Sequence, residues 1–148
     1  MSKLRYTQLR ISHLLLQLVL VSFTSHALAE KDEPKFIPGT TKVTAEEVLD
    51  LATEISDLII VDSRIHADRK QGYIEGSVSL PDLETNCASL AGIIPRKISP
   101  VLFYCNGIKC GRSVIASKIA LGCGYKNIYW FRGGFSEWQG KKYPFVKE

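Results

Sequence analysis

The segment from Cys105 to Arg112 combines a nucleophile with cations that could hold an anion. Cys105 follows four apolar residues (101–104), a run that is typical of a strand buried on both faces. Residues 113–121 have the length and apolar spacing of a helix, and glycines follow them. The loop between strand and helix is therefore expected at the carboxyl end of the strand, where amide groups and the helix dipole stabilise a thiolate or an anion.

Arg112 lies in the first turn of that predicted helix. A cation there opposes the helix dipole by about 0.3–1 kcal/mol, which indicates that a negative group lies nearby. Lys109 adds a second positive charge to the loop. Such surroundings favour the thiolate form of Cys105, and Arg112 could bind the anionic part of a substrate. The alternative is a buried structural cysteine beside a solvated arginine.

The amino terminus has the three parts of a secretory signal peptide. Residues 1–10 are basic, residues 11–23 are mainly apolar, and Ala27-Leu28-Ala29 matches a cleavage site. We expect cleavage after Ala29 and export, to the periplasm if the host is a bacterium, with no stable membrane insertion afterwards. An uncleaved anchor is the alternative, but the apolar run is shorter than the ~20 residues that a spanning helix needs.

The net charge of +4 depends on this amino terminus, since three bases and no acid precede Glu30. The mature chain would carry about one positive charge, which does not favour nucleic-acid binding. Charge is uneven, however, because residues 85–136 contain seven bases and no acid. A positive region around the cysteine loop favours a small anionic substrate.

The mature part of the chain predicts one α/β domain over residues 41–148, after a flexible lead-in at 30–40. Thr44 and Glu47 form a capping-box pattern, so a helix is expected to about residue 53. The remaining alternation of strands and helices predicts a small parallel sheet with helices on both faces. The other expected elements are strands at 58–61, 77–80 and 127–131, a short helix within 64–71, a weak helix at 83–90, and a last helix from the Gly133-Gly134 turn through Trp138.

Four separated segments together resemble the rhodanese-like sulfurtransferases. They are Val-Asp-Ser-Arg at 61–64, the segment from Gly72 to Pro81, the Tyr104-Cys105 loop with Arg112 and Ser113, and the aromatic Gly-Gly segment at 129–138. The resemblance implies a rhodanese-like fold and a catalytic Cys105. That cysteine would accept sulfane sulfur from a small anionic donor such as thiosulfate and pass it, as a persulfide, to a thiol or cyanide-like acceptor. No cofactor is implied.

The resemblance also implies that the loop binds the substrate. Six residues separate Cys105 from Arg112, where this family usually has four, so the loop (C-x4-C-x-R-S) makes a wider cradle. The substrate-binding residues implied are Asn106, Gly107, Ile108, Lys109, Cys110, Gly111, Arg112 and Ser113.

Cys110 keeps a second class of function open. Cys105 and Cys110 could cycle between dithiol and disulfide, either as a thiol-disulfide redox protein or to protect the nucleophile. A binding domain that has lost turnover is a further alternative. Cys87 and Cys123 complete a set of four cysteines, which allows three full pairings or free thiols.

Other candidate groups have weaker signals. A metal site is not expected, because Cys105 and Cys110 lack a second ligand pair with zinc spacing. His66 follows a different strand, which disfavours a Cys-His hydrolase. Asp62 could be an acid or base, or a structural carboxylate near Arg64. The aromatic residues at 130, 131, 135 and 138 could line a pocket but are more typical of a core.

Overall fold

The chain folds around a five-stranded sheet in which every neighbouring pair of strands is parallel. The computed structural model describes residues 34–147, so the predicted signal peptide lies outside the described residues. The strand order is β1-β5-β4-β2-β3. The strands are β1 (Thr41–Val43), β2 (Ile59–Asp62), β3 (Val78–Ser79), β4 (Val101–Tyr104) and β5 (Ile128–Phe131). The predicted α/β architecture is confirmed.

Helices cover both faces of the sheet, as the sequence predicts. They are α1 (Ala45–Glu54), α2 (His66–Arg69), α3 (Cys87–Ile93), α4 (Arg112–Gly122) and α5 (Gly134–Gly140). The capping box predicted for α1 is present, with the Thr44 hydroxyl accepting from the Glu47 amide and the Glu47 carboxylate accepting from the Thr44 amide. Among the described residues, no helix is long and apolar enough to cross a membrane.

The central position of β4 in the sheet explains why its four residues are all apolar. Leu102 and Tyr104 pack into one core cluster with residues of α1 and α5. Val101 and Phe103 point to the other face and pack with residues of α3 and α4. All four side chains are fully buried. Helices on both faces thus remove the polar alternation that a half-exposed strand would show.

The weak helix expected at residues 83–90 is wrong in its bounds. A short 3₁₀ turn (Asp82–Glu84) comes first, and α3 begins only at Cys87. Asn86 is the N-cap of α3, and its side-chain oxygen accepts hydrogen bonds from the amides of Ala88 and Ser89. Because an N-cap residue has extended backbone angles, Asn86 separates the 3₁₀ turn from α3.

The lead-in packs on the domain in the part that the structure describes. Ile37 is 3% exposed and lies in a cluster with Val114 and Trp130. The carbonyl of Pro34 accepts a hydrogen bond from Nε of Arg132 at 3.0 Å. Strand β1, which the sequence did not predict, follows at once and pairs with β5. Three residues are too few for a periodic apolar pattern.

Candidate functional site: the loop between β4 and α4

The loop from Cys105 to Gly111 joins the carboxyl end of the central strand to the amino terminus of α4, as predicted. Cys105 follows β4 directly and is 1% exposed. Arg112 is the first residue of α4, and the N-cap is Gly111, which has no side chain to accept from the first helical amides. A helix of this length with no side-chain cap presents its positive end to the loop.

The amino terminus of α5 holds the start of the loop in place. The amide of Phe135 donates to the carbonyl of Cys105 at 2.8 Å, and the amide of Ser136 donates to the carbonyl of Asn106 at 2.7 Å. Gly134 has a φ of +57°, and a Cβ there would collide with the Cys105 carbonyl and approach the Gly107 amide to 2.9 Å. Gly134 is therefore required for close contact with the loop as well as for the left-handed backbone of the turn.

A side-chain contact fixes the loop from the other side. The Asn106 amide group donates to the carboxylate of Asp68 in α2 at 2.7 Å. Within the loop, the amide of Cys110 donates to the carbonyl of Gly107 at 2.9 Å, which forms a tight turn. The loop is thus anchored at its start to two helices and folded back on itself at its centre.

Asp62, the last residue of β2, is a structural carboxylate in this arrangement. It is fully buried and accepts hydrogen bonds from Arg64 (Nε, 2.8 Å, and Nη2, 2.6 Å), from Arg69 (3.2 Å) and from the hydroxyl of Tyr104 (2.8 Å). The Arg64 guanidinium also lies 4.3 Å from the centre of the Phe135 ring. The network therefore supports the residue whose amide binds the Cys105 carbonyl.

Arg64 and Tyr104 each keep one protonation state in this network. Burial lowers the pKa of Arg64, but the hydrogen bond and the negative charge of Asp62 outweigh burial and leave the pKa above its usual value. Burial, followed by the charge of Asp62, raises the pKa of Tyr104. Arg64 therefore stays charged and Tyr104 stays a neutral donor over the physiological range.

An open cleft of about 740 Å³ lies over the loop. Seven of the eight residues predicted to bind substrate line it, while Cys105 lies beneath the surface. Ser113 is the exception, because its side chain is 2% exposed and its hydroxyl accepts from Nε1 of Trp130 at 3.0 Å. Its side chain belongs to the core. The lining residues are Asn106, Gly107, Ile108, Lys109, Cys110, Gly111, Arg112, Asp82, Ile115 and Ser136.

Sequence reasoning missed Asp82, Ile115 and Ser136. Asp82 lies in the 3₁₀ turn, and its Oδ1 is 3.5 Å from Nε of Arg112. The negative group expected near Arg112 is thus present in the protein itself. Its position had no signal in the sequence, since Asp82 precedes the acid-free segment and reaches the loop only through the fold.

Similarity to known proteins identifies the family of this chain. The model of the rhodanese-like domain family matches residues 44–141. The chain belongs to the rhodanese-like domain family. A rhodanese domain-containing protein of Drosophila melanogaster, CG4456, is 32% identical over 111 residues, which cover 67% of this chain and 96% of the fly protein.

Solved structures share the fold of this rhodanese-like domain. A thiosulfate sulfurtransferase from Pseudomonas aeruginosa superposes with a TM-score of 0.64 and 26% identity, over 73% of this chain but only 20% of that longer chain. The BH2092 protein of Bacillus halodurans has the same TM-score at 19% identity, over 73% of this chain and 77% of that one. A polysulfide-sulfur transferase from Wolinella succinogenes has a TM-score of 0.62 at 22% identity, over 74% and 80%.

The rhodanese-like domain contains two disulfides. Cys105 pairs with Cys110 within the loop, where their Cα atoms are 6.1 Å apart. Cys87 pairs with Cys123, which joins the start of α3 to the end of α4 with a Cα separation of 5.5 Å. No cysteine among the described residues is free. Of the three pairings that the sequence left open, this is the one adopted, and in it the predicted nucleophile is blocked until the loop disulfide is reduced.

The remaining candidates lie away from the cleft. Trp130, Phe131, Phe135 and Trp138 are at most 5% exposed and form part of the core. His66 lies on α2 with a largely exposed side chain, 3.1 Å from a carboxylate oxygen of Glu84. In the part of the chain that the structure describes, no group of three or more His, Cys, Asp or Glu side chains could hold a metal ion.

Proposed function

We propose that this rhodanese-like domain is a sulfurtransferase that uses Cys105 as its nucleophile. It takes sulfane sulfur from a small anionic donor such as thiosulfate and holds it as a persulfide on Cys105. It then passes the sulfur to a thiol or cyanide-like acceptor. The loop disulfide must be reduced before the first step, because a sulfur atom bonded to Cys110 cannot act as a thiolate.

The position of Cys105 is the observation that carries this proposal. The residue ends the central strand, its carbonyl is held by the Phe135 amide, and its loop leads to the uncapped amino terminus of α4. A negative sulfur in this loop is favoured by the positive end of the helix and by the cations of Lys109 and Arg112. The strand and the buried Asp62 network position the site, and a well-positioned nucleophile lowers the barrier to attack.

The reaction has two displacement steps on sulfur. The Cys105 thiolate attacks the outer sulfur of thiosulfate, the sulfur-sulfur bond of the donor breaks, and sulfite leaves with the bonding electrons. The acceptor then attacks the outer sulfur of the persulfide and restores the Cys105 thiolate. Arg112 and Lys109, which line the cleft, would bind the sulfonate oxygens during the first step.

Initial rates of thiocyanate formation test this function. Protein that has just been reduced and freed of reductant is mixed with thiosulfate and cyanide. We expect activity in the wild type and none in Cys105→Ser. The double variant Cys87→Ser/Cys123→Ser is the matched control, since it removes the other disulfide and is expected to stay active. Full activity in Cys105→Ser would contradict the assignment.

A thiol-disulfide redox function is the second candidate, and the Cys105–Cys110 disulfide favours it. Such a protein would reduce or oxidise a disulfide substrate, would need both cysteines, and would need no sulfur donor. Thiocyanate formation by Cys110→Ser would separate the two functions, because sulfur transfer to cyanide needs one cysteine. Disulfide exchange by the wild type, without thiocyanate formation by Cys110→Ser, would favour the redox function.

The proposal places the mature protein outside the cytoplasm, in the periplasm of a bacterial host. The basic, apolar and Ala-Leu-Ala parts of residues 1–29 support this. Intact mass of the protein isolated from its native host tests it, with Glu30 expected as the first residue. A chain that retains residues 1–29 would contradict cleavage and favour the anchor.

A further inference from the structure

Cys110 lines the open cleft and is bonded to the buried nucleophile, Cys105. Cys105 is 1% exposed, whereas Cys110 is half-buried and lines the cleft. Their Cα atoms are 6.1 Å apart, within the range that a disulfide needs, and their Sγ atoms are bonded. Any sulfur that reaches Cys105 therefore arrives next to a second thiol that can contact the same Sγ atom.

We propose that Cys110 is an internal acceptor that converts the sulfane sulfur on Cys105 into sulfide. The Cys110 thiolate attacks Sγ of the Cys105 persulfide, a Cys105–Cys110 bond forms, and the bond to the outer sulfur breaks. The outer sulfur leaves with the electron pair as hydrosulfide. The two cysteines are oxidised to a disulfide while the sulfane sulfur is reduced by two electrons. This inference rests on the proposed sulfurtransferase function.

An external dithiol completes the cycle by thiol-disulfide exchange. It reduces the Cys105–Cys110 disulfide to two thiols and is itself oxidised to a disulfide, so electrons balance over the cycle. With thiosulfate as donor, the sum is one thiosulfate and one dithiol converted to sulfite, sulfide and an oxidised dithiol. The protein would then act as a dithiol-dependent sulfane reductase as well as a sulfurtransferase.

The release of sulfide requires that Cys110 attack Sγ of Cys105. Attack on the outer sulfur would only move the persulfide from Cys105 to Cys110, and no sulfide would leave. Attack on Sγ of Cys105 gives the disulfide that the structure contains. The tight turn from the Gly107 carbonyl to the Cys110 amide brings the second cysteine back towards the first. The loop needs no rearrangement of its anchors, because those lie at Cys105 and Asn106.

Arg112 is placed to favour the attacking form of Cys110. Its Nη1 atom lies 3.8 Å from Sγ of Cys110, and its Nε atom lies 3.5 Å from Asp82. A guanidinium next to a thiol stabilises the thiolate, which is the nucleophile in exchange reactions. Arg112 is thus a positioning residue for this second step in addition to its proposed contact with the donor.

The loop disulfide is suited to repeated opening, unlike the other one. Cys87 and Cys123 are 36 positions apart, whereas Cys105 and Cys110 are 5 apart. In the chain-entropy account, a disulfide that closes a short loop constrains the unfolded chain less than one that closes a long loop. Reduction of the Cys105–Cys110 bond therefore costs the fold less stability than reduction of the Cys87–Cys123 bond.

A single-turnover experiment tests the inference. Reduced protein, freed of reductant and kept from air, is mixed with one equivalent of thiosulfate and no external acceptor. Sulfite and sulfide are measured, and alkylated protein is examined by intact mass and peptide mapping. For the wild type we expect nearly equal amounts of sulfite and sulfide, with Cys105 and Cys110 joined at the end. Cys110→Ser and Cys110→Ala are expected to release sulfite, hold the persulfide and release no sulfide.

The control and the contrary outcomes separate this inference from the function on which it rests. The variant Cys87→Ser/Cys123→Ser is expected to release sulfide like the wild type, which would identify the loop pair as the source of electrons. Sulfite release with a stable persulfide and a free Cys110 in the wild type would overturn the inference and leave the sulfurtransferase function intact. Equal sulfide release by the Cys110 variants would also overturn it. Absence of sulfite from the wild type would overturn both.

Discussion

The carboxylate of Asp82 lies 3.5 Å from Nε of Arg112, so the arginine of the cleft has a negative partner in the protein itself. The Asp82 side chain is only 8% exposed, and its Oδ1 has no hydrogen-bond partner among the described residues. The contact is therefore an ion pair without hydrogen-bond geometry. In the proposed function, an anionic donor would approach Arg112 against this buried negative charge, so we expect Asp82 to influence donor affinity.

Replacing Asp82 with Asn is expected to strengthen the binding of anionic donors. Removal of the charge is expected to contribute about 1 kcal/mol, which corresponds to a roughly fivefold lower KM for thiosulfate. Initial rates of thiocyanate formation measure this, with both variants made in the Cys110→Ser background so that no loop disulfide forms. Asp57→Asn is the control, because it breaks an exposed ion pair with Arg96 and should leave KM unchanged. A higher KM in Asp82→Asn would mean that the carboxylate chiefly holds Arg112 in position.

Gly134→Ala is expected to disrupt the loop that carries Cys105. The left-handed backbone at this position costs a residue with a Cβ about 1–2 kcal/mol, and the collision with the Cys105 carbonyl adds to this cost. Both the melting temperature and the thiocyanate rate should fall. Gly140→Ala in the same helix is the control, since its Cβ would meet nothing within 4 Å. Unchanged activity in Gly134→Ala would show that the Phe135 contact is not needed.

Asp62→Asn distinguishes a structural carboxylate from an acid or base. The substitution leaves Arg64 and Arg69 buried without their anion, and loss of one partner of a buried ion pair typically costs about 3–5 kcal/mol. Urea unfolding should show this loss, while exposed Asp50→Asn should show almost none. A variant that keeps the wild-type unfolding midpoint and loses turnover would instead assign catalysis to Asp62.

The contact between α1 and the end of α5 should give a pH-dependent contribution to stability. The ammonium of Lys141 donates a hydrogen bond to Glu46 and lowers the pKa of that carboxyl to about 2, from an ordinary 4.5. Because the folded pKa is lower, the contribution is complete above the ordinary pKa and is lost as pH falls through about 2.

Thermal melts over a pH series measure this contribution. The difference in melting temperature between wild type and Glu46→Gln should be constant near neutral pH and shrink from about pH 4.5 to about pH 2. Exposed Glu75→Gln is the control and should show no such trend. A difference that grows on acidification would contradict the assignment of the shift to the Lys141 contact.

Local patterns in the sequence predicted most of the fold, and the family resemblance indicated seven of the ten residues that line the cleft. The apolar run before Cys105, the capping box at Thr44 and the glycines around the end of α4 each act within a few residues, so their structures followed from short-range physics. Asp82 and Ser136 reach the cleft from distant parts of the chain, and no local pattern reports such a contact. The position of the Ser113 side chain also depends on a distant residue, since its hydroxyl accepts a hydrogen bond from Trp130 and lies in the core.

The pairing of the cysteines could not be predicted from the sequence either. Four cysteines allow three pairings, and the choice depends on which Cα atoms the fold brings within bonding range. Cys87 and Cys123 meet only because α3 and α4 pack side by side. The sequence predicted a negative group near Arg112. Because the segment around Arg112 contains no acid, an anionic substrate was the expected partner. In the fold, Asp82 also lies next to Arg112.

The central claim is that Cys105 carries the transferred sulfur, and peptide mapping of the persulfide tests it most directly. Reduced Cys110→Ser protein, in which the persulfide has no internal acceptor, is incubated with thiosulfate and examined by mass before and after cyanide. We predict a species heavier by one sulfur atom, mapped to the peptide with Cys105, removed by cyanide and absent from Cys105→Ser. Sulfur mapped to Cys87 or Cys123, or no sulfur on any cysteine, would contradict the account.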